Sequence, residues 1–133
     1  MNKIKKTNIY WKKNLDESTY NITRESATEQ PFSGKYLNEK SKGIYNCVCC
    51  NNILFSSNSK FDSGTGWPSF FEPINKENII EKNDFSNGMK RTEVLCSSCE
   101  AHLGHVFNDG PKPTGLRYCL NSASLKFKKI DEY

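Results

Sequence analysis

The sequence has no apolar run near the roughly 18 residues that a membrane-spanning helix needs; its most apolar stretches, Ile53-Leu54-Phe55 and Phe70-Phe71, are very short. The chain therefore reads as a soluble protein with no membrane partner. No apolar run of seven or more follows the basic start, which argues against a secretory signal and makes a reducing cytoplasm the expected compartment. Cysteine is too sparse for a disulfide scaffold, since six in 133 residues falls below the roughly 8 to 10% that marks one. In a reducing compartment those six thiols point to metal binding or thiol chemistry. No repeat and no low-complexity linker interrupts the chain, and its length leaves little room for a second domain.

Acidic residues are missing from one place in particular. Residues 1–13 carry Lys3, Lys5, Lys6, Lys12 and Lys13 and no acid, while the other 120 residues hold 14 basic and 15 acidic side chains, a net −1. The overall charge of +4 thus belongs to a terminus and not to a basic face, which argues against a nucleic-acid partner. Residues 1–13 read as a solvated basic tail and residues 14–133 as one domain. Only 35% of the residues are hydrophobic, so the core must draw its bulk from eight Phe, six Tyr and two Trp.

Residues 14–30 offer sparse apolar points at Leu15, Tyr20 and Ile22, suited to one or two short helical turns. From Pro31 onward, glycines punctuate short β-favouring runs at 43–47, 52–55, 78–81, 89–95, 117–121 and 125–129. The expected fold is mainly β and antiparallel.

Two C-x-x-C pairs, Cys47/Cys50 and Cys96/Cys99, supply the four thiolates of a tetrahedral zinc site. Structural zinc is the preferred reading, with two disulfides or an iron-sulfur centre as rivals. Loop closure over the 45 residues between the pairs costs only about 1 kcal/mol more than over 15, against zinc-peptide binding energies on the order of 10 kcal/mol. Cys49 is left over, either a free thiol beside the metal or a redox-active one.

Cys119 stands apart in Leu116-Arg117-Tyr118-Cys119-Leu120-Asn121, where alternation puts Leu116, Tyr118 and Leu120 on one face and Arg117, Cys119 and Asn121 on the other. A thiol sharing a face with a guanidinium is expected to have a lowered pKa. From the pattern alone it is either a nucleophile or a partly buried inert thiol. The only two histidines, His102 and His105, follow the second knuckle. As zinc ligands they would crowd four donors into ten residues and strand Cys47 and Cys50, so general acid/base or orienting roles are preferred, with Asp109 a candidate to orient one imidazole. Trp67 sits between Gly64, Gly66 and Pro68, which set its backbone. It is either a core tryptophan closing a corner or an aromatic wall for an apolar ligand group.

Taken together these residues resemble the type B methionine sulfoxide reductases, which act on the R epimer of methionine sulfoxide. The resemblance covers about 100 residues, through Pro31-Phe32-Ser33-Gly34-Lys35-Tyr36, Tyr45-Asn46-Cys47, Gly66-Trp67-Pro68-Ser69-Phe70, Arg91-Thr92-Glu93-Val94, and the stretches 102–107 and 117–121. It implies two antiparallel sheets with short N-terminal helices and one structural zinc on Cys47, Cys50, Cys96 and Cys99. It further implies that Cys119 is the nucleophile, that Trp67 packs on the substrate's S-methyl group, and that His102, His105, Arg117 and Asn121 surround the thiolate and the sulfoxide oxygen. Its partners would be oxidised proteins carrying methionine-R-sulfoxide and thioredoxin or another thiol reductant. One departure stands out: Thr65 occupies the position at which many family members carry a resolving cysteine. The rival reading is a non-enzymatic zinc-ribbon module that binds nucleic acid or protein, with Trp67 and the phenylalanines as stacking surfaces.

Overall fold

The computed structural model describes residues 6–130 and begins with two short helices, α1 (Asn8–Asn14) and α2 (Glu17–Arg24). Each is started by a side-chain cap, Thr7 Oγ1 accepting from Tyr10 N at 3.2 Å and Asp16 Oδ1 from Thr19 N at 2.7 Å. Helix α1 lies inside the segment expected to be a solvated tail. Trp11 accounts for this: it is 4% exposed, with the Arg24 guanidinium of α2 4.7 Å above its ring. Lys12 and Lys13 then fall in the last turn of α1, where the helix dipole favours cations; Lys3 and Lys5 lie outside the described residues. No helix among the described residues is long and apolar enough to cross a membrane.

Nine strands follow among the described residues: β1 (Gly43–Cys47), β2 (Ile53–Ser56), β3 (Lys60–Phe61), β4 (Ser69–Phe70), β5 (Ile79–Asp84), β6 (Arg91–Cys96), β7 (His102–Phe107), β8 (Arg117–Leu120) and β9 (Leu125–Lys129). They form two antiparallel sheets, of order β2-β1-β9 and β3-β4-β8-β7-β6-β5. The fold is mainly β, as expected. Strands β1 and β9 alternate between buried and more exposed positions, and the inward residues Tyr45, Phe55, Phe70 and Tyr118 are each almost wholly buried. Their rings pack at centroid separations of 4.8 Å (Phe55–Phe70), 5.1 Å (Tyr45–Phe70) and 5.5 Å (Phe55–Tyr118). Large aromatic areas thus compensate for the small number of aliphatic residues.

The two C-x-x-C segments are turns built alike. In one, Asn51 N donates to Cys47 O at 2.8 Å and Cys47 N to Asn52 O at 2.8 Å; in the other, Glu100 N donates to Cys96 O at 2.8 Å and Cys96 N to Ala101 O at 2.9 Å. Both turns close through a left-handed residue, Asn51 at φ 65° and Glu100 at φ 63°.

Candidate active site

The larger sheet assembles a row of side chains from four strands. Ser69 of β4 stands opposite Cys119 of β8, Cys119 opposite His105 of β7, and His105 opposite Glu93 of β6. Residues paired this way share a sheet face with Cβ atoms about 4.5–5.5 Å apart, so the thiol is flanked by a hydroxyl and an imidazole. On β8 the alternation is as expected: Tyr118 and Leu120 are buried, while Arg117 and Cys119 turn to the other, half-buried face. Strands β7 and β8 approach closely because residue 104 is glycine; a Cβ there would overlap the Cys119 carbonyl.

Two histidines three positions apart on a regular strand would point to opposite faces. A register shift between β6 and β7 prevents this, with Val94 opposite Gly104 but Leu95 opposite His102, leaving Leu103 as the extra residue. Leu95 shares a face with Glu93, so the bulge returns His102 to the face that carries His105. The two rings then meet edge to face at 5.5 Å.

Each imidazole is held by a carboxylate, and neither is Asp109. His105 Nε2 lies 2.8 Å from Asp84 Oδ2, and His102 Nδ1 lies 2.7 Å from Glu93 Oε2. A carboxylate only accepts, so these nitrogens carry the protons, leaving Nδ1 of His105 and Nε2 of His102 as the remaining acceptors. Burial holds the His102 imidazole below its usual range despite Glu93, and the residue is 2% exposed. Hydrogen bonding from His105 and Ser86 holds the Asp84 carboxyl well below the carboxylate range. Asp109 instead grips Arg117, accepting from Nε at 2.9 Å and from a terminal nitrogen at 3.2 Å, and the guanidinium lies 4.3 Å over the Phe107 ring.

Cys119 opens into a cavity of about 250 Å³ shared with Trp67, Arg91, His105, Phe107 and Arg117. Gly64 (φ 73°) and Gly66 (φ 96°) take backbone angles that other residues disfavour, and the chain emerges at Trp67 with its indole Nε1 donating to Glu29 O at 3.0 Å. Glu29 is a hub. Its backbone N donates to Asn121 Oδ1 at 3.0 Å, and its carboxylate accepts from Ser122 N at 2.9 Å and Ala123 N at 3.1 Å. Asn121 lines the cavity while Nδ2 donates to Leu103 O at 3.2 Å.

Thr65 Oγ1 lies 3.7 Å from Cys119 Sγ, within hydrogen-bonding reach of a thiol. The expectation of a lowered thiol pKa is not met. Burial pushes the Cys119 thiol above its ordinary range, outweighing the opposing effects of the Thr65 hydroxyl, the Arg117 guanidinium and Ser69.

The four knuckle cysteines meet elsewhere, with Cys47 Sγ 3.6 Å from Cys99 Sγ and Cys50 Sγ 3.6 Å from Cys96 Sγ, all four sulfurs within 4.8 Å of one another. Zinc–thiolate bonds of about 2.3 Å in a tetrahedron require sulfur–sulfur edges of about 3.8 Å, so this donor set fits a metal ion. None of the six cysteines is in a disulfide.

Residues 15–129 match the SelR domain family. Curated relatives, each named peptide methionine sulfoxide reductase MsrB, include those of Herminiimonas arsenicoxydans, 60% identical over 94% of this chain and 91% of the relative, and Hahella chejuensis, 55% identical over 98% and 94%. That of Pseudomonas fluorescens is 58% identical over 94% and 96%. The chain belongs to the MsrB family. A crystal structure of the Mis18 "Yippee-like" domain aligns at TM-score 0.55 and 16% identity, over 68% of this chain and 99% of that one, a likeness of fold alone. In this MsrB family member, Cys119, His105, Arg117, Asn121 and Trp67 gather at one cavity, with His102 buried behind His105. Sequence reasoning gave no site role to Asp84, Glu93, Arg91 or Glu29. Arg91 and Glu93 lie in a matched motif, whereas Asp84 and Glu29 become visible only through strand pairing and hydrogen bonding.

Proposed function

We propose that this chain reduces methionine-R-sulfoxide in oxidised proteins to methionine, with Cys119 as nucleophile. The observation that carries this reading is that one thiol of the six lines a cavity together with an indole, an imidazole and two guanidinium groups. The curated relatives are named peptide methionine sulfoxide reductases, each sulfoxide epimer has its own enzyme class, and the choice of the R epimer follows the family resemblance. Trp67 offers an apolar wall to the S-methyl group.

Because burial pushes the Cys119 thiol up, a base must help to remove its proton. His105 serves, since it stands opposite Cys119 on the neighbouring strand and Asp84 occupies Nε2, leaving Nδ1 as the acceptor. The sulfur attacks the sulfoxide sulfur, and His105 passes the proton to the sulfoxide oxygen, which otherwise leaves poorly. The S–O bond of the substrate breaks as the hydroxyl passes to the Cys119 sulfur, the transient bond between the two sulfurs breaks with it, methionine departs, and Cys119 is left as a sulfenic acid. Carbon is untouched: the substrate sulfur gains two electrons and the enzyme sulfur loses two. Arg117, fixed by Asp109, and Asn121 orient the oxygen.

Thr65 has no sulfur with which to form an internal disulfide. An external thiol therefore attacks the sulfenic acid, releasing water and leaving a mixed disulfide, and a second thiol equivalent frees Cys119; thioredoxin or another dithiol suits this role. Cys49 stands with the four-cysteine cluster and takes no part. Cys47, Cys50, Cys96 and Cys99 would hold a structural zinc, which would supply cross-links and no reaction step. Six cysteines with no disulfide among them suit a reducing cytoplasm.

Epimer-resolved turnover tests the proposal. Wild type should consume the R epimer alone, and Cys119→Ser should lose at least about 10³-fold in rate, the scale on which removing a nucleophile acts. Equal turnover by the two proteins would remove Cys119 from the mechanism.

A further inference from the structure

Trp67 is shared by two hollows. One is the Cys119 cavity; the other is a groove of about 540 Å³ bordered by Phe32, Leu37, Lys60, Phe61 and Asp62, to which none of the chemistry above assigns a use. The loop between Asp62 and Trp67 divides them, with Thr65 facing the thiol cavity and Gly64 and Gly66 facing the groove. At about 250 Å³ the thiol cavity is smaller than the roughly 300–1,000 Å³ of ordinary small-molecule pockets. It takes one side chain and leaves the polypeptide that carries it outside.

Three features of the groove suit such a polypeptide. Strand β3 ends the six-stranded sheet, and both its residues line the groove, the setting in which an extended segment adds to a sheet edge. Its walls combine the rings of Phe32 and Phe61 with charges of both signs, Lys60 and Lys40 against Asp62 and Glu39, so no net charge is selected. Phe32 is the third feature. It holds φ 66°, a conformation disfavoured for bulky residues, through its backbone N donating to Gly66 O at 2.7 Å. Its ring covers Gly66, to which a Cβ would bring contact at 3.0 Å, yet it remains 70% exposed. Backbone strain maintained in order to display an apolar ring to water is typical of ligand clamps.

We infer that this groove binds the residues flanking the oxidised methionine of a protein substrate, with Phe32 as its aromatic lip. The inference rests on the reading of the Cys119 cavity as the sulfoxide site. Binding energy gathered here raises the efficiency of peptide substrates and does nothing for the free amino acid.

The test compares a six-residue peptide with a central methionine-R-sulfoxide against free methionine-R-sulfoxide, with saturating dithiothreitol as reductant. Phe32→Gly removes the ring and suits the left-handed backbone; Asn38→Trp plugs the groove from an exposed lining position. Each variant should lose about tenfold in kcat/KM for the peptide, through KM, and stay within about twofold of wild type on the free amino acid. Equal losses on both substrates, or no loss on either, would overturn the inference while leaving the sulfoxide site standing. A loss seen only when thioredoxin replaces dithiothreitol would assign the groove to the reductant and also overturn it. A wild type inactive on both substrates would instead remove the underlying reading.

Discussion

The six cysteines divide between two environments, and the contrast shows how backbone placement decides what a thiol does. At the knuckles, two turns of the same construction aim four sulfurs at one another, so each sulfur's neighbours are other sulfurs. On β8, cross-strand register surrounds Cys119 with a hydroxyl on one side and an imidazole on the other, and a cavity opens before it. The first arrangement uses up its donors internally and serves cohesion. The second leaves a sulfur with room for a substrate.

Exchanging sulfur for oxygen in the two environments should break this contrast most visibly. Cys96→Ser should abolish metal binding by the four-sulfur cluster, measured by mass spectrometry of the intact protein, and lower Tm by more than about 10 °C, since zinc-peptide binding energies are on the order of 10 kcal/mol. Cys119→Ser should shift Tm by no more than about 2 °C, the scale of ordinary half-buried substitutions. Next in size is the imidazole's support. Asp84→Asn should reduce kcat about 10- to 100-fold with little change in KM, as expected when the partner that sets a histidine tautomer is lost, and should lower Tm at neutral pH. The depressed Asp84 carboxyl also contributes stability that is present at neutral pH and lost as pH falls below about 4, toward its folded-state value; Asp84→Asn should flatten that part of the acid denaturation curve.

The raised thiol sharpens the comparison further. Maleimide labelling of Cys119 should be slower at pH 7 than that of a small free thiol and should still be rising at pH 9, and Arg117→Ala should slow it again. A rate that levels off below pH 8 would contradict the burial argument. Folding favours the protonated thiol, so its contribution to stability is full below about pH 8.5 and declines as pH rises toward the folded-state value. The smallest effect belongs to the knuckles themselves. Glu100→Gly relieves a left-handed glutamate and should add about 1 kcal/mol of stability in chemical denaturation without altering turnover.

Much of this was legible in the sequence, and the reasons are particular. Strands β1 and β9 coincide with their expected runs because hydrophobic alternation and bounding turns agree there. The knuckle spacing announced a four-sulfur cluster, and alternation around Cys119 correctly separated its face from that of Tyr118. Strand β7 was not foreseen: two histidines, a glycine and a bulge obscure its period. The carboxylates that hold the histidines were equally hidden. Asp84 is 21 residues from His105, and only the register of β5, β6 and β7 brings them together, whereas Asp109, near in sequence, is taken by Arg117. Helix α1 was concealed by its lysines, which drew attention from Trp11.

Glu29 gives the cavity a rivet outside the sheets. With one residue it pins the indole, the Asn121 amide and the start of the turn after β8. The aromatic wall and the end of β8 therefore shift together or not at all. A disturbance in the segment joining the helices to the first sheet would be transmitted to both walls at once, and the gap between them would be preserved even as the whole pocket tilted.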